Sequence, residues 1–418
     1  MTPRPALVGQ AAVLLGDLLR FSGPADQAVS RYFRAHRNFG REDRAFIAET
    51  VYAVLRRKRS LAAAAGSQEP RALVLAALVR VLGFSGRSME SSLQEGEADL
   101  ITKVKSFDIR QLALAEQFDL PDWLWERLVA QNGPGEAQKI AQALLNAAPL
   151  DLRVNLAKLA RDEVLQRLRG DELEGQPTPH SPAGIRLRGK PSINKHPLFL
   201  DGSVEVQDEG SQLLAYLLAP RRGEMVADFC AGAGGKTLAL AMLMRNTGRL
   251  YAMDVSAKRL SQMGPRAARA GISNVHPVVL EGENDLRAKR LAGKLDRVLV
   301  DAPCSGFGTL RRNPDLKWRH HPEAIAELAQ KQFRILTAAA KLVKPGGRLV
   351  YTTCSLLADE NEEVVAAFRH GAGKSFVEMH CGELLAAQRI ALGSGPQLRL
   401  WPHVHGTDGF FAAAFERK

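Results

Sequence analysis

The chain has 418 residues, 45% of them apolar, which is enough to bury a sizeable core and to divide into two or three domains. No apolar run reaches the roughly 18 to 20 residues of a membrane span, and the N-terminus MTPRPALVGQ lacks the basic-then-apolar layout of an export signal, so the cytoplasm is the expected location. Four cysteines (Cys230, Cys304, Cys354, Cys381) with no CxxC pair exclude a disulfide framework and give no reason to expect a metal, while a net charge of +12, mostly after residue 150, favours a polyanionic partner.

Residues 1–145 read as helices throughout. AAVLLGDLLR, REDRAFIAETVYAVLRRKRSLAAAA and RALVLAALVRVLG carry apolar residues at three-to-four spacing, broken by Gly and Pro. The pattern changes after LLNAAPL: LDLRVNLAK, the helical RDEVLQRLRG and GIRLRG predict a small α+β module over 146–205. From 206 to 418, β-rich runs (MVADF, RLYAMD, NVHPVVL, LDRVLVDAP, GRLVYTTCS) alternate with amphipathic helices, which predicts a parallel, doubly wound α/β sheet. The tail LRLWPHVHGTDGFFAAAFERK predicts two strands of a terminal antiparallel hairpin. A monomer is the expected state.

In a sheet of this kind the first strand-to-helix turn is the usual ligand cradle, and here it reads CAGAGGKT, residues 230–237. A phosphate loop needs glycine where the chain has Cys230, and a dinucleotide fingerprint needs glycine where it has Thr237, so both fit poorly. The next strand ends at Asp254, a carboxylate able to accept from both hydroxyls of a ribose. Asp228 beside the loop repels pyrophosphate and attracts an ammonium or sulfonium group. S-adenosylmethionine carries both cations, and Asp228, Cys230, Ala231, Gly232, Ala233, Gly234, Gly235, Lys236 and Asp254 are its candidate holders. After the third strand, VVLEGENDL offers Glu283 or Asp285 near the adenine, with Asp285 preferred.

DAPC places Cys304 at the end of the fourth strand and TTC places Cys354 at the end of the fifth, so both open into the same crevice. A buried thiol alone is most often a small hydrophobe, but two at adjacent strand ends suggest chemistry. Carbon 5 of cytosine is too weakly nucleophilic to attack a sulfonium methyl group until a thiolate adds to carbon 6. A carboxyl group near ring nitrogen 3 assists that addition, and Asp301, also a candidate cofactor contact, is placed for it. Removal of the carbon 5 proton afterwards gives a second acid/base group a role.

VQDEGSQL, DFCAGAGGKT, DAPCSGFGTLRRNPDLKW, KPGGRLVYTTCSLLADENEEVV and DGFF together resemble, in order, the RsmB/Sun-type RNA cytosine-5 methyltransferases over residues 145–418. The resemblance implies a Rossmann-like catalytic domain, Cys354 as nucleophile and Cys304 as the residue that assists release; Cys304 is the alternative nucleophile, as in the DNA enzymes. Gly232 and Ala233 depart from the family's AAPGGKT loop and imply a softer loop. FGREDRAFIAETVYAVLRR resembles the NusB-like RNA-binding domain of the bacterial enzymes, which implies small-subunit (16S) ribosomal RNA as substrate.

RRNPDLKWRHH, with Arg311, Arg312, Lys317 and Arg319 around Trp318, has the basic-aromatic mixture that suits a phosphate backbone and an unstacked base, and it is expected to hold RNA. Three other readings remain open: a transfer RNA methyltransferase, an RNA-binding assembly factor whose catalysis is dispensable, and, from GKT and RVLVDAP, a nucleotide triphosphatase.

Overall fold

The fold is given by a computed structural model that describes residues 3–393 and 395–418. Its contacts divide the chain into two units. One is the chain up to Ala147 together with Thr309–Pro322; the other is Ala148–Gly308 with Glu323–Lys418.

The first unit is helical among its described residues. Helices Pro5–Leu18 and Pro70–Arg80 each begin on a proline, where the missing N–H costs no hydrogen bond and the fixed φ suits the first turn. They pack with helix Arg41–Arg56 around Leu14, Leu15, Ile47, Val54, Leu75 and Leu78. The segment expected to hold RNA belongs to this unit and is largely committed to protein. The last carbonyls of helix Arg41–Arg56 lack intrahelical donors. Trp318 Nε1 donates to Leu55 O and Lys317 Nζ to Arg56 O, each at 2.8 Å. Arg56 Nη2 returns a bond to Arg311 O at 3.0 Å, and Asp315 accepts from the Ala25 N–H at the start of the preceding helix, Ala25–Ala35. Arg311 and Lys317 are buried, and burial lowers the Lys317 ammonium to about 7. The expectation that these residues face phosphate is therefore corrected: a cation and an indole N–H cap a helix C-terminus instead.

The second unit holds two sheets. The smaller contains β1 (Leu150–Val154), β2 (Gly175–Pro177), β3 (Gly184–Leu187) and β4 (Val204–Val206), antiparallel in the order β2-β3-β1-β4. Helix Arg161–Gly170 supplies Val164 and Leu168 to its core beside Leu152, Val154 and Ile185.

The larger sheet contains β5 (Met225–Asp228), β6 (Arg249–Asp254), β7 (Val275–Val279), β8 (Leu295–Asp301), β9 (Val343–Thr353), β10 (Phe376–Met379), β11 (Leu398–Leu400) and β12 (Phe410–Arg417). The order is β10-β12-β9-β8-β5-β6-β7, with β5 to β9 parallel and β11 paired to β12. This is the Rossmann-like sheet that the alternation predicts. β11 and β12 pair antiparallel, but β12 also runs antiparallel to β9 and β10, so the tail closes the sheet rather than forming a detached hairpin. Helices Glu209–Leu218 and Gly235–Leu243 cover one face, and Pro322–Ala340 and Glu362–His370 the other. Strand order reverses between β5 and β8, which opens a crevice at their carboxyl ends.

Candidate active site

The turn after β5 is shaped by two glycines in the left-handed region, Gly232 at φ 56° and Gly234 at φ 87°. A Cβ on Gly234 would stand 2.5 Å from Met263 Cγ, so this position needs glycine for space as well as for its dihedral. The Ala231 N–H donates to Met253 O at 2.9 Å, tying the loop to the end of β6. Helix Gly235–Leu243 then begins with first-turn N–H groups that lack helical acceptors and suit an anionic group.

Two arginines hold this loop from outside. Arg266 Nη1 donates to Ala233 O at 2.6 Å and Arg153 Nη1, from β1, to Gly235 O at 2.8 Å. Glu205 of β4 orients Arg266 through a 2.9 Å contact and also bonds Arg269. A proline would stiffen the loop covalently; here charge-assisted, half-buried hydrogen bonds fix two of its carbonyls. The softer loop implied by Gly232 and Ala233 is braced in this way.

Beyond the loop lies a cavity of about 720 Å³, walled by Cys230, Lys236, Asp254, Glu283, Asp301 and both Cys304 and Cys354. Asp254 accepts from the Gly232 N–H and the Ser256 N–H, each at 2.8 Å, which fixes both oxygens of its carboxylate at the cavity wall. Val255 and Leu280 add apolar surface suited to a purine face. The bottom of the cavity is polar: Lys236 Nζ meets Asp301 Oδ2 at 2.7 Å and Thr352 Oγ1 donates to Asp301 Oδ1 at 3.0 Å. Burial opposes the Lys236 ammonium, yet Asp301 beside it more than offsets this and holds its pKa above the ordinary value.

Cys304 and Cys354 point at each other, with their sulfurs 3.4 Å apart. The hydrogen bond to Cys354 first, and burial second, push the Cys304 thiol well above its ordinary range. Cys230 is also driven upward, by burial and then by Asp228, Asp301 and Asp254, so it stays a neutral thiol in the wall.

Two expected cofactor contacts are corrected. Asp285 does not face the cavity: it caps helix Leu286–Lys289, accepts from the Glu281 N–H and is held by Arg287, whose guanidinium keeps it well below the carboxylate range. Glu283, the alternative, lines the cavity and is steadied by Arg334 at 3.2 Å. Asp228 is 1% exposed and lies beneath the loop, where it accepts from Thr237 Oγ1 at 2.7 Å. Burial raises it to about 7, so it tethers the loop's helix rather than presenting a fixed charge to a sulfonium.

The residue-level reading also missed Glu360. It is fully buried and accepts from the Ser305 N–H at 2.8 Å, Ser305 Oγ at 2.5 Å, Gln332 Nε2 at 2.9 Å, and Ser355 Oγ. The signal was a serine after each cysteine, which points to a shared partner.

Comparison with known proteins agrees with this arrangement. A family profile described as 16S rRNA methyltransferase RsmB/F matches residues 215–416, and one described as the ferredoxin-like domain of the RsmF/B-like methyltransferases matches 120–194. A Synechocystis protein named probable ribosomal RNA small subunit methyltransferase B is 33% identical over 97% of this chain and 98% of its own length. The chain belongs to the RsmB/F methyltransferase family. A Bacillus subtilis protein of the same name is 34% identical over 73% of this chain and 68% of its own. A solved methyltransferase homolog from Pyrococcus horikoshii is 29% identical, with a TM-score of 0.63 over 75% of this chain and all of its own. As an RsmB/F methyltransferase, the chain is an RNA-modifying enzyme whose cofactor is S-adenosylmethionine. The cavity fits that cofactor, with a carboxylate for the ribose, apolar walls for the adenine and a helix start for the methionine end.

Proposed function

We propose that this enzyme methylates carbon 5 of a cytosine in small-subunit ribosomal RNA through a covalent adduct with Cys354. The observation that carries this reading is the 3.4 Å pair of thiols in the cofactor cavity beside the Lys236–Asp301 pair. An amine-directed methyltransferase has no use for two facing cysteines, whereas carbon 5 chemistry needs one sulfur to attack and another group to help it leave.

S-adenosylmethionine supplies an electrophilic methyl group. Cys354, as thiolate, adds to carbon 6, and the ring electrons move toward nitrogen 3, which takes a proton from solvent and donates it in a hydrogen bond to the Asp301 carboxylate; carbon 5 then bonds to the methyl group as the methyl–sulfonium bond breaks, and nitrogen 3 returns its proton to solvent. Lys236 holds that carboxylate in place. Cys304, kept as a thiol while it donates to the Cys354 thiolate, is left without that partner once Cys354 is bonded to carbon. It then loses its proton to solvent and takes the one on carbon 5; the electron pair of that C–H bond re-forms the ring double bond and expels Cys354. The base reaches the cavity unpaired or flipped from its helix. The substrate assignment rests on the relatives, which are named as small-subunit ribosomal RNA methyltransferases.

RNA is held, in this reading, by the helical unit, where Arg31, Arg34, Arg37 and Arg41 are exposed beside a stack of Tyr32, His36 and Phe39. Double reversal of Arg34 and Arg37 to Glu should weaken RNA binding and flatten its dependence on salt, as measured by anisotropy across a salt series. An unchanged slope would remove this surface from the interface.

The chemistry is tested with RNA and cofactor together. Cys354→Ala should abolish methyl transfer, and Cys304→Ala should accumulate a protein–RNA adduct that survives denaturing electrophoresis. Full activity in Cys354→Ala would overturn the covalent mechanism. Bisulfite sequencing of RNA from a deletion strain reports the lost cytosine and names the molecule that carries it.

A further inference from the structure

Each cysteine is followed by a serine, and both serines converge on one carboxylate. Glu360 is 0% exposed and receives the Ser305 N–H, Ser305 Oγ, Ser355 Oγ and Gln332 Nε2. Four donors on two oxygens are the set that an ionised carboxylate takes. The same region is fixed further by Tyr351 OH on Glu360 O at 2.6 Å, by the Gly308 N–H on Cys354 O at 2.8 Å, and by Gln332 Nε2 on Pro303 O at 3.0 Å. Gly308 has no room for a side chain, since a Cβ there would stand 2.0 Å from Gly409 O and 2.8 Å from Cys354 O.

We propose that Glu360 is a positioning residue for both cysteines: it clamps the two loops through Ser305 and Ser355, and its charge behind Cys304 sets the pH at which the covalent adduct is resolved. This rests on the reading of the previous subsection. Glu360 reaches neither substrate nor cofactor. Its effect passes through the residue next to each sulfur, and through the field at Cys304, where it is among the groups that raise the thiol.

The cavity that holds Cys304 also carries Asp254, Arg259, Glu281 and Glu283, each in an ion pair. Cys354 and Tyr351 come from β9 and its end, Asp301 from β8, Lys236 from the cofactor helix, Cys230 from the loop, Lys331 from helix Pro322–Ala340, and Glu360 from the turn after Cys354. Once Cys354 is bonded to carbon 6 its charge is gone. Lys236 and Asp301 neutralise each other, Cys230 and Tyr351 are held neutral by burial, and Lys331 and Arg259 are further cations on the wall, the latter facing Asp254. Glu360 is then the unneutralised negative charge facing Cys304, opposing its loss of a proton.

The test measures decay of the RNA adduct against pH in the full-length enzyme with cofactor and RNA. In the wild type, decay accelerates with pH as Cys304 ionises. Glu360→Gln keeps the size and much of the hydrogen bonding but removes the charge, so the rising limb should move to lower pH by on the order of one unit. Glu360→Asp keeps the charge but is too short to serve both serines; its limb should stay in place while decay slows severalfold. Cofactor affinity serves as the check on folding. If Glu360→Gln fails to bind cofactor, Glu360→Asp carries the test alone, and decay at the wild-type rate would overturn the proposal. Profiles of both variants superimposing on that of the wild type would overturn the clamp and leave the cysteine mechanism standing. No adduct with the wild type or Cys304→Ala would overturn both.

Discussion

Asp228 illustrates how burial changes what a carboxylate does. It stands at the end of β5, accepts from Thr237, and is raised from an ordinary 3.8 to about 7, chiefly by burial. A raised carboxyl favours the folded state when protonated. Its contribution is therefore complete below about pH 4 and lost as pH rises through about 7, at up to roughly 1.4 kcal/mol per unit. Asp228→Asn removes this dependence while keeping an acceptor for Thr237. The stability of the wild type relative to the variant should fall between pH 5 and pH 8 in thermal unfolding without cofactor, and a constant difference would contradict the burial account. At the same scale, Asp285 shows the opposite outcome: a nearby guanidinium and two N–H donors hold it ionised and turned away from the cavity.

At the scale of elements, the cofactor loop depends on neighbours distant in sequence. Arg153 comes from β1, Glu205 from β4 and Arg266 from helix Met263–Ala270, yet they fix the carbonyls of Ala233 and Gly235. Arg266→Ala leaves Ala233 O without its charged donor and Glu205 with one fewer cation. A charge-assisted bond of this kind contributes about 1.5–3 kcal/mol, so cofactor affinity should drop by roughly tenfold or more while the adduct chemistry at saturating cofactor is retained. Calorimetric titration with S-adenosylmethionine checks the first effect and single-turnover transfer the second. A lowered turnover with unchanged affinity would place Arg266 outside the cofactor loop's support.

At the scale of the whole molecule, the segment Thr309–Pro322 leaves the catalytic unit just after the Cys304 motif and becomes part of the helical unit. Its basic residues look like a nucleic-acid patch when read along the chain, but Lys317 and Trp318 satisfy the carbonyl end of helix Arg41–Arg56. Trp318→Phe removes one hydrogen bond and should lower stability by about 1 kcal/mol in denaturant unfolding, with RNA affinity unchanged. Loss of RNA affinity at unchanged stability would restore the stacking role. Among the described residues no helix is long and apolar enough to cross a membrane.

The sequence by itself determined the parallel sheet, the loop after β5 and the two cysteine-bearing strand ends, because alternating β and helical periodicity, glycines at left-handed positions and strand-terminal motifs are local signals. It also indicated that Cys304 and Cys354 share one crevice, since adjacent parallel strands end on the same edge of a sheet. Only the tertiary structure decided which charges are available. Asp285 or Glu283 near the adenine, Lys317 facing protein or phosphate, and Glu360 as a surface acid or a clamp are choices made by burial and by hydrogen-bond partners between 2 and 261 residues away. Such partners leave no periodic trace in the chain, and the desolvation that turns a surface charge into a structural one is a property of the packed protein alone.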